Sequence, residues 1–251
     1  MPQSCGLFYS DYHGGLPNAT PVVLIHGGFT DHRCWPAQVR RLPNRRVVAV
    51  DLPGHGRSEG FCAHTVDAYP RSILRLLDDL QIYNAVFIGH ALGAAVAVAL
   101  LEFHPERVAG LGLVSLGMRF NYPDGAETLL NQEPESLVRD LLQRAGGQDQ
   151  DSGVTRKVAL EWRSNRPGLL AADLRAGREY GRRNKKLAAE VPTWICVGEE
   201  DGITPAVSAR VLQAGMPQSS LRVVPGAGHL LPWQHPETLC QGVSGFVKCF
   251  R

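Results

Sequence analysis

At 251 residues, with 44% hydrophobic and 20% charged residues, the chain can bury a large core as one domain or as a domain with an insertion. Lys and Arg total 26 against 24 Asp and Glu, a net charge of +2, which argues against nucleic acid or an anionic membrane as partner. The first residues, MPQSCGLFYS, lack a basic region followed by an apolar stretch, and the longest apolar run, Ala91 to Leu101, is 11 residues including a glycine, too short to span a bilayer. Six cysteines, at 5, 34, 62, 196, 240 and 249, form no CxxC and no metal-type spacing with histidine, so reduced thiols in a cytoplasmic protein are expected. No metal and no organic cofactor is implied.

Pro21 to Ile25 is a short β-branched run ending at His26-Gly27-Gly28-Phe29, and it reads as a buried strand. Helical spacing follows from Asp31 to Leu42, then a second strand from Arg46 to Val50, closed by Asp51-Leu52-Pro53-Gly54-His55-Gly56-Arg57-Ser58. Val66 to Leu80 is amphipathic, with Ile73, Leu74, Leu77 and Leu80 on one face. Ala85 to Ile88 predicts a third strand, Leu92 to Phe103 a third helix, and Gly110 to Ser115 a fourth strand. Strands and helices alternating at this spacing predict an α/β fold with a doubly wound, mostly parallel sheet. The alternation stops at Met118: Glu135 to Arg144, Val154 to Trp162 and Leu169 to Tyr180 are helical, with no convincing strand before about Glu190. It resumes with strands at Thr193 to Val197 and Leu221 to Val224 and helices near Pro205 to Ala214 and Pro236 to Val247. The expected organisation is therefore a core of residues 1–117 and 191–251 interrupted by a helical insertion over 118–190.

Four segments in order, HGGF at 26–29, DLPGHGRS at 51–58, GHALG at 89–93, and GEEDGITP at 198–205 with GAGHLLPWQHP at 226–236, resemble the α/β-hydrolase family across nearly the whole length. The resemblance implies that the insertion is a helical cap. It makes Gly89 to Gly93 a nucleophile elbow, a sharp strand-to-helix turn whose central residue points into the pocket, with Ala91 where serine is expected. It makes His229 the general base and Asp201 its orienting acid, in the Ser–Asp–His chain order of this fold. The N–H groups of Leu92 and Gly28, with Phe29 next, are the implied oxyanion donors. Phe29, His90, Met118, Tyr122 and Trp162 are the residues expected to contact substrate. Glu199 and Glu200 rival Asp201 but read as solvated; His26, His55 and Asp51 read as loop braces, His235 precedes the proline that starts the last helix, and Ser115 lacks an elbow around it.

Alanine carries no hydroxyl, so nucleophilic catalysis at 91 is impossible in this chain. Because the base, its acid and both oxyanion loops are retained together, the reading adopted is a serine-type hydrolase of a small-molecule carboxylic ester, lactone or thioester whose serine has been replaced. The alternatives are a natural non-catalytic ligand-binding protein, a C–C bond hydrolase on the same scaffold, and cofactor-free proton abstraction by the His–Asp pair alone. The stretch from Arg156 to Lys186 has ten basic residues against three acidic, read as a solvated helix face from which one or two cations could meet a substrate carboxylate.

Overall fold

The computed structural model describes residues 3–15, 19–147, 153–165, 167–182 and 190–250. Its strands are β1 (Gln3–Ser4), β2 (Leu7–His13), β3 (Val22–Ile25), β4 (Arg46–Val50), β5 (Ala85–His90), β6 (Val108–Val114), β7 (Thr193–Gly198) and β8 (Ser219–Val224). They form one sheet in the order β1-β2-β4-β3-β5-β6-β7-β8. From β4 to β8 every neighbouring pair is parallel. Strands β3, β5 and β7 are buried at every position, which is why they read as unbroken apolar runs rather than as alternation. The first two strands were not expected from the sequence. They form an antiparallel edge, with Tyr9 opposite Val50.

Helices cover both faces. Helix α1 (Ala37–Arg40) and α10 (Pro236–Val247) lie on one side, where Val39, Leu42, Val243 and Val247 pack against Leu24 and Ile88. On the other, α2 (Pro70–Asp79) and α3 (Leu92–Phe103) bring Ile73, Leu77, Val96 and Leu100 against Val23 and Phe87. Every residue of α3 from Leu92 to Leu100 is buried, and its many alanines let it lie close to the sheet. The helix expected from Asp31 to Leu42 is instead a 3₁₀ turn at His32–Cys34 and the single turn of α1. Pro36 accounts for the break, since the residue before a proline is pushed out of the helical region and Trp35 is extended, with φ −75° and ψ 131°.

Between β6 and β7 come α4 (Ala126–Gln132), α5 (Pro134–Gly146), α6 (Gly153–Arg163) and α7 (Pro167–Arg182), with no strand among the described residues. Helix α4 was not expected. The core closes with α8 (Ala206–Ala214) and α9 (Leu231–Gln234). No helix of the described residues is long and apolar enough to cross a membrane. The loops that leave β3, β4, β5 and β7 at their C-terminal ends carry His26–Thr30, Asp51–Ser58, Ala91 and Asp201–Thr204. In an open parallel sheet that edge is where ligands bind.

Candidate active site

The chain passes from β5 into α3 through one residue, Ala91, held at φ 48° and ψ −112°. A non-glycine side chain there is strained by roughly 1–3 kcal/mol, so the surroundings must fix it. They do: Ala91 N–H donates to Val114 O at 2.8 Å, and Ala91 O accepts from the N–H groups of Ala94 and Ala95 at 3.0 and 3.1 Å. One turn on, α3 runs so close to β3 that a Cβ on Gly93 would overlap the carbonyl oxygens of Ile25 and His26. Gly89 is demanded in the same way, since a Cβ there would overlap the backbone of Gly93 and Ala94.

His229 lies in the loop after β8, buried, with its backbone held on both sides. Its N–H donates to Ala145 O at 2.8 Å, and its carbonyl accepts from Ser115 Oγ and His90 Nε2, each at 2.9 Å. Its Nδ1 is 2.8 Å from Asp201 Oδ2. Asp201 is itself buried and receives the N–H groups of Ile203 and Thr204 at 2.9 and 2.7 Å on one oxygen and the Thr204 hydroxyl at 2.8 Å on the other. Thr204 Oγ1 also sits 3.3 Å from His229 Nδ1. Sequence reasoning missed Thr204, although an Asp three residues before a Thr at a helix start is the pattern of a side chain closing its own turn. Glu199 Oε2 instead accepts the Gly226 N–H at 3.2 Å.

Ala91, Leu92, Gly28, Phe29 and His229 border one narrow cavity of about 30 Å³. That is room for about two water molecules. Among the described residues the N–H groups of Gly28 and Leu92 meet no acceptor, whereas Phe29 N–H donates to Asp173 Oδ2 at 2.7 Å. The remaining wall is apolar. Tyr122 and Trp162, two of the residues expected to contact substrate, border the cavity, and Leu141, Ile203 and Trp233, not singled out from the sequence, border it too.

The structure places the other two residues expected to contact substrate as follows. Met118 is not in the wall: its N–H donates to Ser208 Oγ at 2.8 Å, which fixes this segment against α8, and its side chain is half-buried against the core. His90 does line the cavity, but its Nε2 is engaged by the His229 carbonyl, so it braces the wall. Burial, with His229 beside it, pulls His90 down to about 3, so it stays neutral. Of the basic stretch, Arg166, Arg183, Lys185 and Lys186 lie outside the described residues. Arg163, Arg175 and Arg182 pair with Glu135, Glu127 and Glu179, and none of these three borders the cavity.

Other polar groups serve the loops. Asp51, buried at the end of β4, accepts from His32 N–H, His32 Nδ1 and Arg57 N–H at 2.7, 2.7 and 3.0 Å, while Asp31 is held by Arg33. His26 receives the Leu52 N–H on Nε2 at 3.0 Å and faces Gly27 O through Nδ1 at 2.7 Å, so it is neutral with its proton on Nδ1; burial pulls it down to about 4.

Comparison with known proteins bears on this arrangement. The chain is 30% identical over 250 residues to a pimeloyl-[acyl-carrier protein] methyl ester esterase of Nitrosomonas europaea, covering 93% of this chain and 95% of that one. It is 28% identical to the dihydrolipoyllysine-residue acetyltransferase component of the acetoin cleaving system of Pseudomonas putida; 93% of this chain aligns, and it spans 65% of that protein's length, under two thirds. Among solved structures, a thermophilic esterase from Thermogutta terrifontis superposes with a TM-score of 0.83 at 27% identity, covering 97% of this chain and 93% of that one. The profile of the alpha/beta hydrolase family matches residues 22–241. With a mostly parallel sheet, an elbow between β5 and α3, and this match over most of its length, the chain belongs to the alpha/beta hydrolase family.

Proposed function

We propose that this chain is the nucleophile-deleted form of a serine hydrolase acting on small carboxylic esters, with serine at position 91 in the active form. The observation that carries the reading is the backbone of Ala91. A turn at φ 48° is costly for alanine and does nothing for an inert surface, yet it is held by three hydrogen bonds. It is the geometry that lifts a serine hydroxyl out of a strand end.

In the serine form Oγ attacks the ester carbonyl carbon while its proton passes to His229 Nε2. Asp201, accepting from Nδ1, holds the imidazole in that tautomer and stabilises its charge. The carbonyl oxygen, now anionic, takes the Gly28 and Leu92 N–H groups. The tetrahedral adduct collapses by expelling the alcohol, which receives the proton from His229 and leaves an acyl-serine. Water then attacks with the same histidine as base, releasing the carboxylic acid and restoring Oγ–H. Helices α4 to α7 act as the cap, and the apolar wall of Phe29, Tyr122, Leu141 and Trp162 supports a small, mostly apolar acyl group. The methyl ester esterase and esterase relatives support an ester bond as the target.

The test is Ala91→Ser with a panel of p-nitrophenyl esters of increasing acyl length. Loss of a serine nucleophile costs on the order of a millionfold in kcat, so reversion should raise turnover from background by several orders of magnitude. His229→Ala in the reverted enzyme should abolish the gain. No gain on reversion would overturn the reading in favour of a ligand-binding protein.

A further inference from the structure

Asp173 is 1% exposed, yet it belongs to α7, in the segment above the strand ends. Its Oδ2 accepts the Phe29 N–H at 2.7 Å and lies 3.0 Å from His55 Nε2, with Oδ1 at 3.1 Å. The other nitrogen of His55 faces an acceptor as well, Pro53 O at 3.1 Å, so both ring nitrogens carry protons and the pair is ionic. Burial works against that charge, but Asp173 outweighs it and holds His55 well above its ordinary value. The Phe29 carbonyl is gripped in turn by Asn165 Nδ2 at 2.6 Å. Phe29 thus has both backbone polar groups bound by side chains from the segment above, and it needs them, because its φ is 63°. The same carboxylate closes on the preceding residue: a Cβ on Gly28 would stand 3.2 Å from Asp173 Oδ2.

We propose that Asp173, paired with His55, is a positioning residue that sets the aim of the Gly28 N–H at the developing oxyanion. This inference rests on the serine-hydrolase reading above. Asp173 anchors the Phe29 N–H, which fixes the Gly28–Phe29 peptide plane, and its carboxylate also stands against the Gly28 Cα, the hinge to the Gly27–Gly28 peptide that bears the Gly28 N–H. A misplacement of about 1 Å at a reacting centre can cost a hundredfold in rate, and loss of one oxyanion donor costs about 10²–10³ in kcat.

The test uses the full chain carrying Ala91→Ser, with kcat and KM measured on a short p-nitrophenyl ester and active sites counted by phosphonate titration. Asp173→Ala should lower kcat about 100-fold with KM within threefold. Asp173→Asn, which keeps an acceptor for Phe29 N–H, should recover kcat to within tenfold of its parent. The double change His55→Leu/Asp173→Leu removes both buried charges, so no lone ion is left to unfold the protein. It should stay folded and still show the hundredfold loss. If kcat per titrated site is unchanged in Asp173→Ala or in the double variant, or if Asp173→Asn is as slow as Asp173→Ala, the positioning role is wrong while the hydrolase reading stands. If Ala91→Ser hydrolyses no ester, the hydrolase reading fails and takes this inference with it.

Discussion

Acid should begin to destabilise this protein above the range where carboxylates titrate, because two imidazoles are locked in the interior without a charge. His26 is fully buried with its Nε2 occupied as an acceptor, and His90 is buried against His229; their values drop from 6.5 to about 4 and about 3. A histidine whose folded value is depressed contributes stability that is present above 6.5 and is lost as pH falls toward the folded value, because the unfolded chain takes up a proton the native chain refuses. Each contributes a slope of about 1.4 kcal/mol per pH unit. Over the two and a half units from 6.5 to 4 the pair costs about 7 kcal/mol, comparable to the whole stability of a typical domain at about 5–15 kcal/mol. His55 does not soften this, since its raised value leaves it protonated in both states below 6.5; its stabilisation is lost on the alkaline side instead. The assay is urea unfolding followed by tryptophan fluorescence at half-unit steps from pH 7.5 to 4.5. The expected slope corresponds to two protons taken up on unfolding, and His26→Gln, which keeps an acceptor for Leu52 N–H, should reduce it to one. A flat profile over this window, or an unchanged slope in His26→Gln, would refute the reasoning.

Gly93→Ala should destabilise the protein by about 3 kcal/mol or more, the upper end of overpacking costs, because the new methyl meets the backbone carbonyls of Ile25 and His26 rather than flexible side chains; thermal unfolding reads this directly. Thiol labelling should divide the six cysteines by depth. Cys5 and Cys249 are exposed and should react with iodoacetamide in the native state, whereas burial pushes the Cys196 thiol up to about 12 and Cys34 higher still, so both should label only after unfolding, as peptide mass mapping would record.

The sequence made the sheet legible because parallel strands buried on both faces are continuous apolar runs, and because turns at their ends demand particular residues locally. His229 and Asp201 were picked from such turns, and the structure puts them 2.8 Å apart, each in a loop whose own neighbours fix it. The antiparallel edge escaped because β2 is buried at Leu7, Phe8 and Tyr9 and half-exposed after, which leaves no clear alternation to read. Met118 was misplaced because position after a strand end says nothing about which neighbouring helix captures the segment. Asp173 is the instructive omission. It was counted with a solvated charged face, yet Leu169, Asp173, Ala176 and Tyr180 follow the spacing of one helical stripe, and all four are buried. A carboxylate interrupting an apolar stripe is the signal that was available. Its partners, Phe29 and His55, lie 144 and 118 residues away and could be known only from the fold.

The tightness of the cavity beside Ala91 sets the order of events in time. With room for about two waters beside Ala91, an ester fits at position 91 only if Tyr122, in the loop before α4, and Trp162, on α6, move apart. Displacing α6 and α7 withdraws Asn165 and Asp173 from Phe29 as well, because the same segment holds both wall and clamp. If the helices move to admit a guest, the clamp on Phe29 loosens with them, and it closes again only when they return. A bulky alcohol portion that props the helices apart would be held yet left unreacted. In the proposed serine form a slim one would let them settle and be cleaved, and cap closure would then be expected to limit turnover.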